Sequence, residues 1–175
     1  MSPDEQVTRI FAIRHGETAW NAGARIQGQL DIPLNDVGRK QARRLALALA
    51  DETIDAIYAS DLLRALQTAQ ALAAGRGAGI ATGIVTDSGL RERGFGAFEG
   101  LTFTEVEQRW PEQSERWRRR DPLFGPGGGE VLQDFYQRCV DTVSRLAGAH
   151  AGQTIAVVAH GGVMDCLYRA ATRAE

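Results

Sequence analysis

Thr154-Ile155-Ala156-Val157-Val158-Ala159 is the most apolar run of strand length in the chain, and it passes directly into His160-Gly161-Gly162. A second run near the amino terminus has the same form: Ile10-Phe11-Ala12-Ile13 leads straight into Arg14-His15-Gly16. Short, β-branched apolar runs that end in glycine turns read as buried strands. Each would deliver a His-Gly pair at its carboxyl end, where open α/β sheets bind their ligands. If the two strands are neighbours, His15 and His160 meet in one site.

Between these two strands, apolar runs alternate with helical periodicity, the mark of an α/β fold with a largely parallel sheet. After a loop reaching Pro33, Asn35 is placed to cap a helix carrying Ala42, Leu45, Ala46 and Leu49 on one face. Ile54 to Ala59 reads as a second strand, and Ser60 or Asp61 as the cap of a helix with Ala65, Ala69 and Leu72 facing inward. That puts Arg64 in or near the first turn, at the same rim as the two histidines. Ile80 to Val85 reads as a third strand, at an edge because of Gly79 and Gly83. From Gly89 to Gly129 the pattern dissolves into glycines, aromatics and charges. Functional loops with short helices are expected there, one starting at Thr102, whose spacing to Glu105 fits a capping box. Leu132, Phe135, Tyr136, Cys139, Val143 and Leu146 mark a long amphipathic helix, and Val163, Met164 and Leu167 a last one.

Composition narrows the classes. A chain of 175 residues suits one domain with a sizeable core, and 43% hydrophobic with 24% charged residues is ordinary for a soluble fold. A formal net charge of -2 gives no global attraction to nucleic acid or acidic lipid. Lys40 is the one lysine among twenty basic residues, and Gln41 follows it, so a P-loop is excluded. Cys139 and Cys166 lack zinc-ligand or disulfide-framework spacing and read as small core residues. The polar start Met1-Ser2-Pro3-Asp4-Glu5 has no apolar segment of signal-peptide length, so a cytoplasmic protein is expected.

Two histidines and two arginines converging at one sheet rim describe a receptor for a compact dianion, because the guanidinium fork matches phosphate oxygens. The strings that surround them resemble the histidine phosphatase superfamily, also called phosphoglycerate mutase-like. They are Arg14-His15-Gly16-Glu17-Thr18 with Trp20-Asn21, Gln27-Gly28, Pro33-Leu34, Ser60-Asp61-Leu62-Leu63-Arg64, Leu90-Arg91-Glu92, Phe95-Gly96, Glu99-Gly100 and Ala159-His160-Gly161-Gly162. They occur in order over nearly the whole chain.

The resemblance implies a three-layer α/β/α sandwich around a mostly parallel sheet. It also implies roles: His15 the nucleophile that carries the phosphoryl group, Arg14, Arg64 and His160 the clamp on its oxygens, and Glu92 the general acid. Asn21, Gln27, Gly28 and Gly161 would complete the substrate-binding set. Glu99 is Glu92's competitor, but it sits in a Phe-Glu-Gly stretch better suited to shaping the loop. No metal and no cofactor are implied. Neutral imidazole is what attack requires, and nearby positive charge favours it.

Within the family, phosphatases give the phosphoryl group to water and cofactor-dependent phosphoglycerate mutases return it to phosphoglycerate. The short stretch from Glu92 to His160, and Glu-Thr-Ala-Trp-Asn followed by Ile-Gln-Gly, look like the broad-specificity phosphatase branch. The expected activity is metal-independent hydrolysis of small phosphomonoesters through a phosphohistidine, with a cofactor-dependent phosphoglycerate mutase, an isomerase, as the alternative. A catalytically silent phosphate-binding module is a further alternative, opposed by the completeness of the constellation. Nucleic-acid and membrane partners are not expected. Arg116 to Arg120 reads as a solvated helix face or as a lid meeting an anionic substrate, with nucleic-acid binding the weakest reading. Gly127-Gly128-Gly129 reads as the lead-in to a helix, and His150 as a core or surface residue. Relatives continue through another helix and strand, so residues 1–175 are expected to form one domain incomplete at its carboxyl end. The missing elements could cover a sheet edge or take part in a homodimer.

Overall fold

The computed structural model describes residues 7–76 and 83–174. Four strands, β1 (Arg9–Arg14), β2 (Ala56–Ala59), β3 (Ile84–Thr86) and β4 (Thr154–Ala159), form one parallel sheet in the order β1-β4-β2-β3. The third strand does lie at an edge. Its described part is Ile84–Thr86, and Ile80, Ala81 and Thr82 of the expected strand fall outside the described residues. The second strand is shorter than Ile54–Ala59, because Asp55 spends its backbone and carboxylate on Thr154 at the mouth of the sheet.

Alternation along β4 divides the core into two. Ile155, Val157 and Ala159 pack with Phe135, Cys139, Val143 and Leu146 of α6 (Leu132–Gly148) and with Val163 and Cys166 of α7 (Gly161–Thr172). Ala156 and Val158 face the other way, toward Ala65, Ala69 and Leu72 of α3 (Leu63–Ala74) and Leu45 and Leu49 at the end of α2 (Asp36–Ala48). Successive side chains of a strand point to opposite faces, so a strand apolar at every position is covered on both. The result is the three-layer α/β/α sandwich. Among the described residues no helix is long and apolar enough to cross a membrane.

Local signals explain several of the helix starts. Asn35 caps α2 by accepting from Gly38 N, and Thr102 and Glu105 form the expected capping box on α4 (Phe103–Arg109). The cap of α3 is a correction. Neither Ser60 nor Asp61 caps it; Leu62 stands at the N-cap with no side-chain bond, and Asp31 Oδ1, from a distant loop, accepts the Leu63 N–H at 2.7 Å. Asp61 is taken instead by a two-pronged bond to Arg91, at 2.7 and 2.6 Å, and Ser60 is taken by His160. The loop expected to run to Pro33 also contains one short helix, α1 (Ala19–Ala22), opened by a capping box of Thr18 and Asn21.

A third cluster sits apart from the sheet. Phe98, Val106 and Phe124 are buried with Phe95, Trp110 and Trp117 around them, bringing together α4, α5 (Pro111–Arg118) and the loops on either side. The Gly127–Gly129 stretch lets this cap approach closely: a Cβ on Gly129 would stand 2.6 Å from Gly94 O. It leads into α6, as a helix lead-in would.

Candidate active site

Register brings the histidines together. Arg14 pairs with Ala159 across β1 and β4, so the next residue of each strand, His15 and His160, emerges side by side, with ring centroids 5.1 Å apart in an edge-to-face arrangement. Ala59 of β2 pairs with Val158, which carries Ser60 beside His160; Ser60 Oγ lies 2.8 Å from His160 Nε2.

The proton positions on both rings follow from their partners. His15 Nδ1 is 2.7 Å from Gly16 O, and a carbonyl can only accept, so Nδ1 carries the proton and Nε2 keeps its lone pair. Burial, opposed in part by that bond and reinforced by the charges of Arg64 and Arg14, pushes the His15 pKa down to about 4. Near neutrality the ring is therefore an uncharged base. His160 is driven well below the usual imidazole range by burial, then by Arg64 and His15. Ser60 Oγ accepts the Leu62 N–H at 3.3 Å and can donate its own proton to His160 Nε2, which leaves Nδ1 as the protonated nitrogen.

Arg64 is 1% exposed despite its charge. Its Nη1 and Nη2 donate to the carbonyls of Leu30 and Gly28 at 2.8 and 2.7 Å, which fixes the guanidinium against the loop carrying Gln27 and Gly28. Thr68, one turn along α3, donates to Arg64 O and accepts the Gly16 N–H, tying the His15 turn to the same helix. Two buried donors in this group have no partner among the described residues: Arg64 Nε and His160 Nδ1. An unpaired buried polar group is costly, so this pair marks a place where an acceptor belongs.

Glu92 enters from the opposite side. Its Oε1 accepts from Arg93 N at 2.9 Å and its Oε2 from Gly162 N at 3.0 Å. Burial raises its pKa against the pull of those two bonds and of Arg64 and Arg14. The acid loop is held by Arg138, which donates to the carbonyls of Gly89, Arg91 and Glu92 and pairs with Glu130. Glu99 does a different job: its Oε1 accepts from Gln29 N and Phe95 N, both at 3.0 Å, and so shapes the loops.

A cavity of about 190 Å³ is lined by Arg14, His15, Asn21, Gln27, Gly28, Arg64, Glu92 and Gly161, so the sequence-derived residues other than His160 all reach it directly. His160 is not part of that lining and instead packs edge-to-face on the His15 ring. Arg14 is exposed, with its guanidinium against Gly161, where a Cβ would be 3.5 Å from Arg14 Nε. Asn21 and Gln27 have already used their side-chain oxygens on Thr18, so what they can offer a ligand is amide N–H. The same cavity is lined by four residues that sequence reasoning did not assign to it: Arg25, Ile26, Phe95 and Trp117. Arg25 and Ile26 directly precede Gln27, whereas Phe95 and Trp117 arrive with the packing of the cap. Ser60 is a further omission; it lay within a recognised string but was read as a helix cap.

The arginine run resolves into ion pairs. Arg116 meets Asp121, Arg118 meets Glu107 and Glu115, Arg119 meets Glu115, and Arg120 meets Asp165.

A family model described as the histidine phosphatase superfamily, branch 1, matches residues 10–175. The chain belongs to that superfamily. Among its relatives, phosphoglycerate mutase-like protein 4 of Arabidopsis thaliana is 44% identical over 97% of this chain and 74% of the relative. The metal-independent phosphoserine phosphatase of the same plant is 38% identical over 98% of this chain and 72% of the relative. The solved structure of Bacillus stearothermophilus YhfR superposes with a TM-score of 0.88 at 36% identity, covering 96% of this chain and 81% of that one. In this histidine phosphatase superfamily member, Arg14, His15, Arg64 and Glu92 line one cavity, and the His160 ring lies 5.1 Å from that of His15.

Proposed function

We propose that this chain is a phosphatase that hydrolyses small phosphomonoesters without a metal ion, passing the phosphoryl group through a phosphohistidine at His15. The observation that carries this reading is the pair of unpartnered buried donors, Arg64 Nε and His160 Nδ1, beside an imidazole whose Nε2 is a free base.

His15 Nε2 attacks phosphorus while the bond to the leaving oxygen breaks, and Glu92, whose pKa burial raises, gives that oxygen its proton. Arg14, Arg64 and His160 hold the equatorial oxygens, where fixed charge and donors lower the barrier most. The positive charge on the phosphorylated ring is eased by the Nδ1–H bond to Gly16 O. Water then attacks the phosphohistidine, Glu92 takes the water's proton, and the neutral imidazole returns. Asn21, Gln27, Gly28 and Gly161 line the mouth through which the phosphate enters. Relatives named as a metal-independent phosphoserine phosphatase and as a phosphoglycerate mutase-like protein support phosphoryl transfer of this kind.

The test is hydrolysis of p-nitrophenyl phosphate in the presence of a chelator, with acid-labile label trapped on the protein from a radiolabelled monoester. Turnover and a label that disappears in His15→Ala are expected. A label that survives the substitution, or activity confined to interconversion of phosphoglycerates that needs 2,3-bisphosphoglycerate, would overturn it.

A further inference from the structure

Ser60 is buried against His160 without reaching the cavity. Both residues are 0% exposed, and Ser60 is not part of the wall of the cavity of about 190 Å³. Its place is fixed by its neighbours. The Ser60 N–H donates to Val158 O at 2.9 Å, tying it to β4 two residues before His160. Asp31 takes the Leu63 N–H, so the start of α3 leaves Ser60 free to turn toward the imidazole.

A count of protons gives that contact a consequence. A hydroxyl has one proton and two lone pairs. The Leu62 N–H can only donate, so it occupies a lone pair, and His160 Nε2, at 2.8 Å, is the acceptor left for the proton among the described residues. In the opposite tautomer Nε2–H would donate to Ser60 as well, and the hydroxyl proton would be buried with no acceptor. Unsatisfied buried donors are costly, so that tautomer is disfavoured.

The difference is felt at Nδ1, which is buried and has no partner among the described residues. A phosphoryl oxygen meeting Nδ1–H gains a hydrogen bond, whereas one meeting the Nδ1 lone pair is repelled. Burial first, then Arg64, keeps the ring neutral near pH 7, so its tautomer decides between these outcomes.

We infer that Ser60 is a positioning residue: by donating to His160 Nε2 it holds the proton on Nδ1, and so makes His160 a donor to the transferring phosphoryl group. The inference rests on the phosphatase reading above and gives Ser60 no contact with substrate.

Two readouts test it together. Long-range proton–nitrogen correlation spectra at neutral pH report which nitrogen of a ring carries the proton, the His160 signals being those lost in His160→Asn. Inhibition by orthovanadate reports the hold on the phosphoryl geometry. The wild type is expected to show His160 as the Nδ1–H tautomer. Ser60→Ala should admit the Nε2–H tautomer and weaken orthovanadate about tenfold, the scale of one hydrogen bond to a charged group. Turnover of p-nitrophenyl phosphate and of an alkyl phosphate should fall by the same factor, because Glu92 is untouched. Ser60→Thr keeps a hydroxyl and should restore both readouts. Ser60→Cys, close in size but a weak donor, should behave as Ser60→Ala does. A wild-type ring protonated on Nε2, weaker orthovanadate without a change of tautomer, or wild-type behaviour in Ser60→Cys would overturn the inference. Should the phosphoenzyme form on His15 while both readouts stay flat in Ser60→Ala, the role of Ser60 falls and the phosphatase reading stands; absence of any phosphoenzyme removes the reading itself.

Discussion

Glu92 Oε2 accepts the amide N–H of Gly162 at 3.0 Å, so the first turn of α7, which begins directly after His160, also positions the carboxyl group on the far side of the cavity.

That relationship makes Gly162 a sensitive position. A Cβ there would lie 2.2 Å from Glu92 Oε1, and the far end of a flexible side chain is what would yield. Gly162→Ala is therefore expected to push Glu92 aside while leaving His15 in place. Loss of a general acid costs about 10²–10⁴ in rate. The loss should be large for an alkyl phosphate, whose leaving oxygen needs a proton, and much smaller for p-nitrophenyl phosphate, whose leaving group does not. Equal losses on the two substrates would show that the substitution acts on something other than the acid.

The pH profile follows from the two shifts. His15 must be neutral to attack, and its pKa is lowered to about 4, so kcat/KM should hold until the pH approaches 4 rather than fall near the usual 6.5 of histidine. Glu92 must be protonated, and burial raises its pKa, so activity on alkyl phosphates should decline as pH rises through that raised value. Glu92→Gln should have lower activity and lose the alkaline decline. The substrate's own second ionisation is common to both enzymes and cancels in the comparison. An alkaline limb unchanged in Glu92→Gln would assign it to another group.

Much of the positional logic was legible in the sequence, and the reason is local. An apolar run that stops at His-Gly declares both a strand and where its carboxyl end lies, which is why His15, His160 and Arg64 could be placed at one rim. Glu92 had no such signal; it lies in an irregular stretch, and only the resemblance singled it out. What could not be read depended on contacts distant in sequence. Asp31 caps α3 from another loop, freeing Ser60 for His160, and no spacing rule describes that exchange. Trp117 reaches the cavity because Phe95, Phe98 and Phe103 pack around it. Its neighbours in sequence, all arginines or acids, left a solvated face and a lid over an anionic substrate both open.

Gly28 and Glu99 give a prediction about the loop rather than the chemistry. Gly28 has φ +52°, and a Cβ on it would stand 2.0 Å from Glu99 Oε1. Gly28→Ala combines a left-handed backbone with displacement of the carboxylate that holds Gln29 N and Phe95 N. A cost of roughly 1–3 kcal/mol is expected in urea unfolding. Removing the obstruction in Gly28→Ala/Glu99→Ala should leave the two penalties non-additive, since the residues share one contact. Strict additivity would place the cost in the backbone alone.

Arg64 has two jobs that one substitution can separate. Its Nη1 and Nη2 clamp the carbonyls of Leu30 and Gly28, and its Nε is buried without a partner among the described residues. Arg64→Met removes both, leaving two carbonyls unsatisfied, and should destabilise the fold by about 1–3 kcal/mol. Arg64→Lys keeps a charge that can reach a carbonyl or a phosphate but cannot fork to all three acceptors. Stability should therefore recover in part, while binding of orthovanadate, a probe of the transferring phosphoryl geometry, stays about 10- to 100-fold weaker than in the wild type. Thermal unfolding reads the first effect and inhibition by orthovanadate the second. Wild-type vanadate affinity in Arg64→Lys would mean that the buried Nε is not directed at the phosphoryl oxygens, and would leave Arg14 and His160 as the clamp.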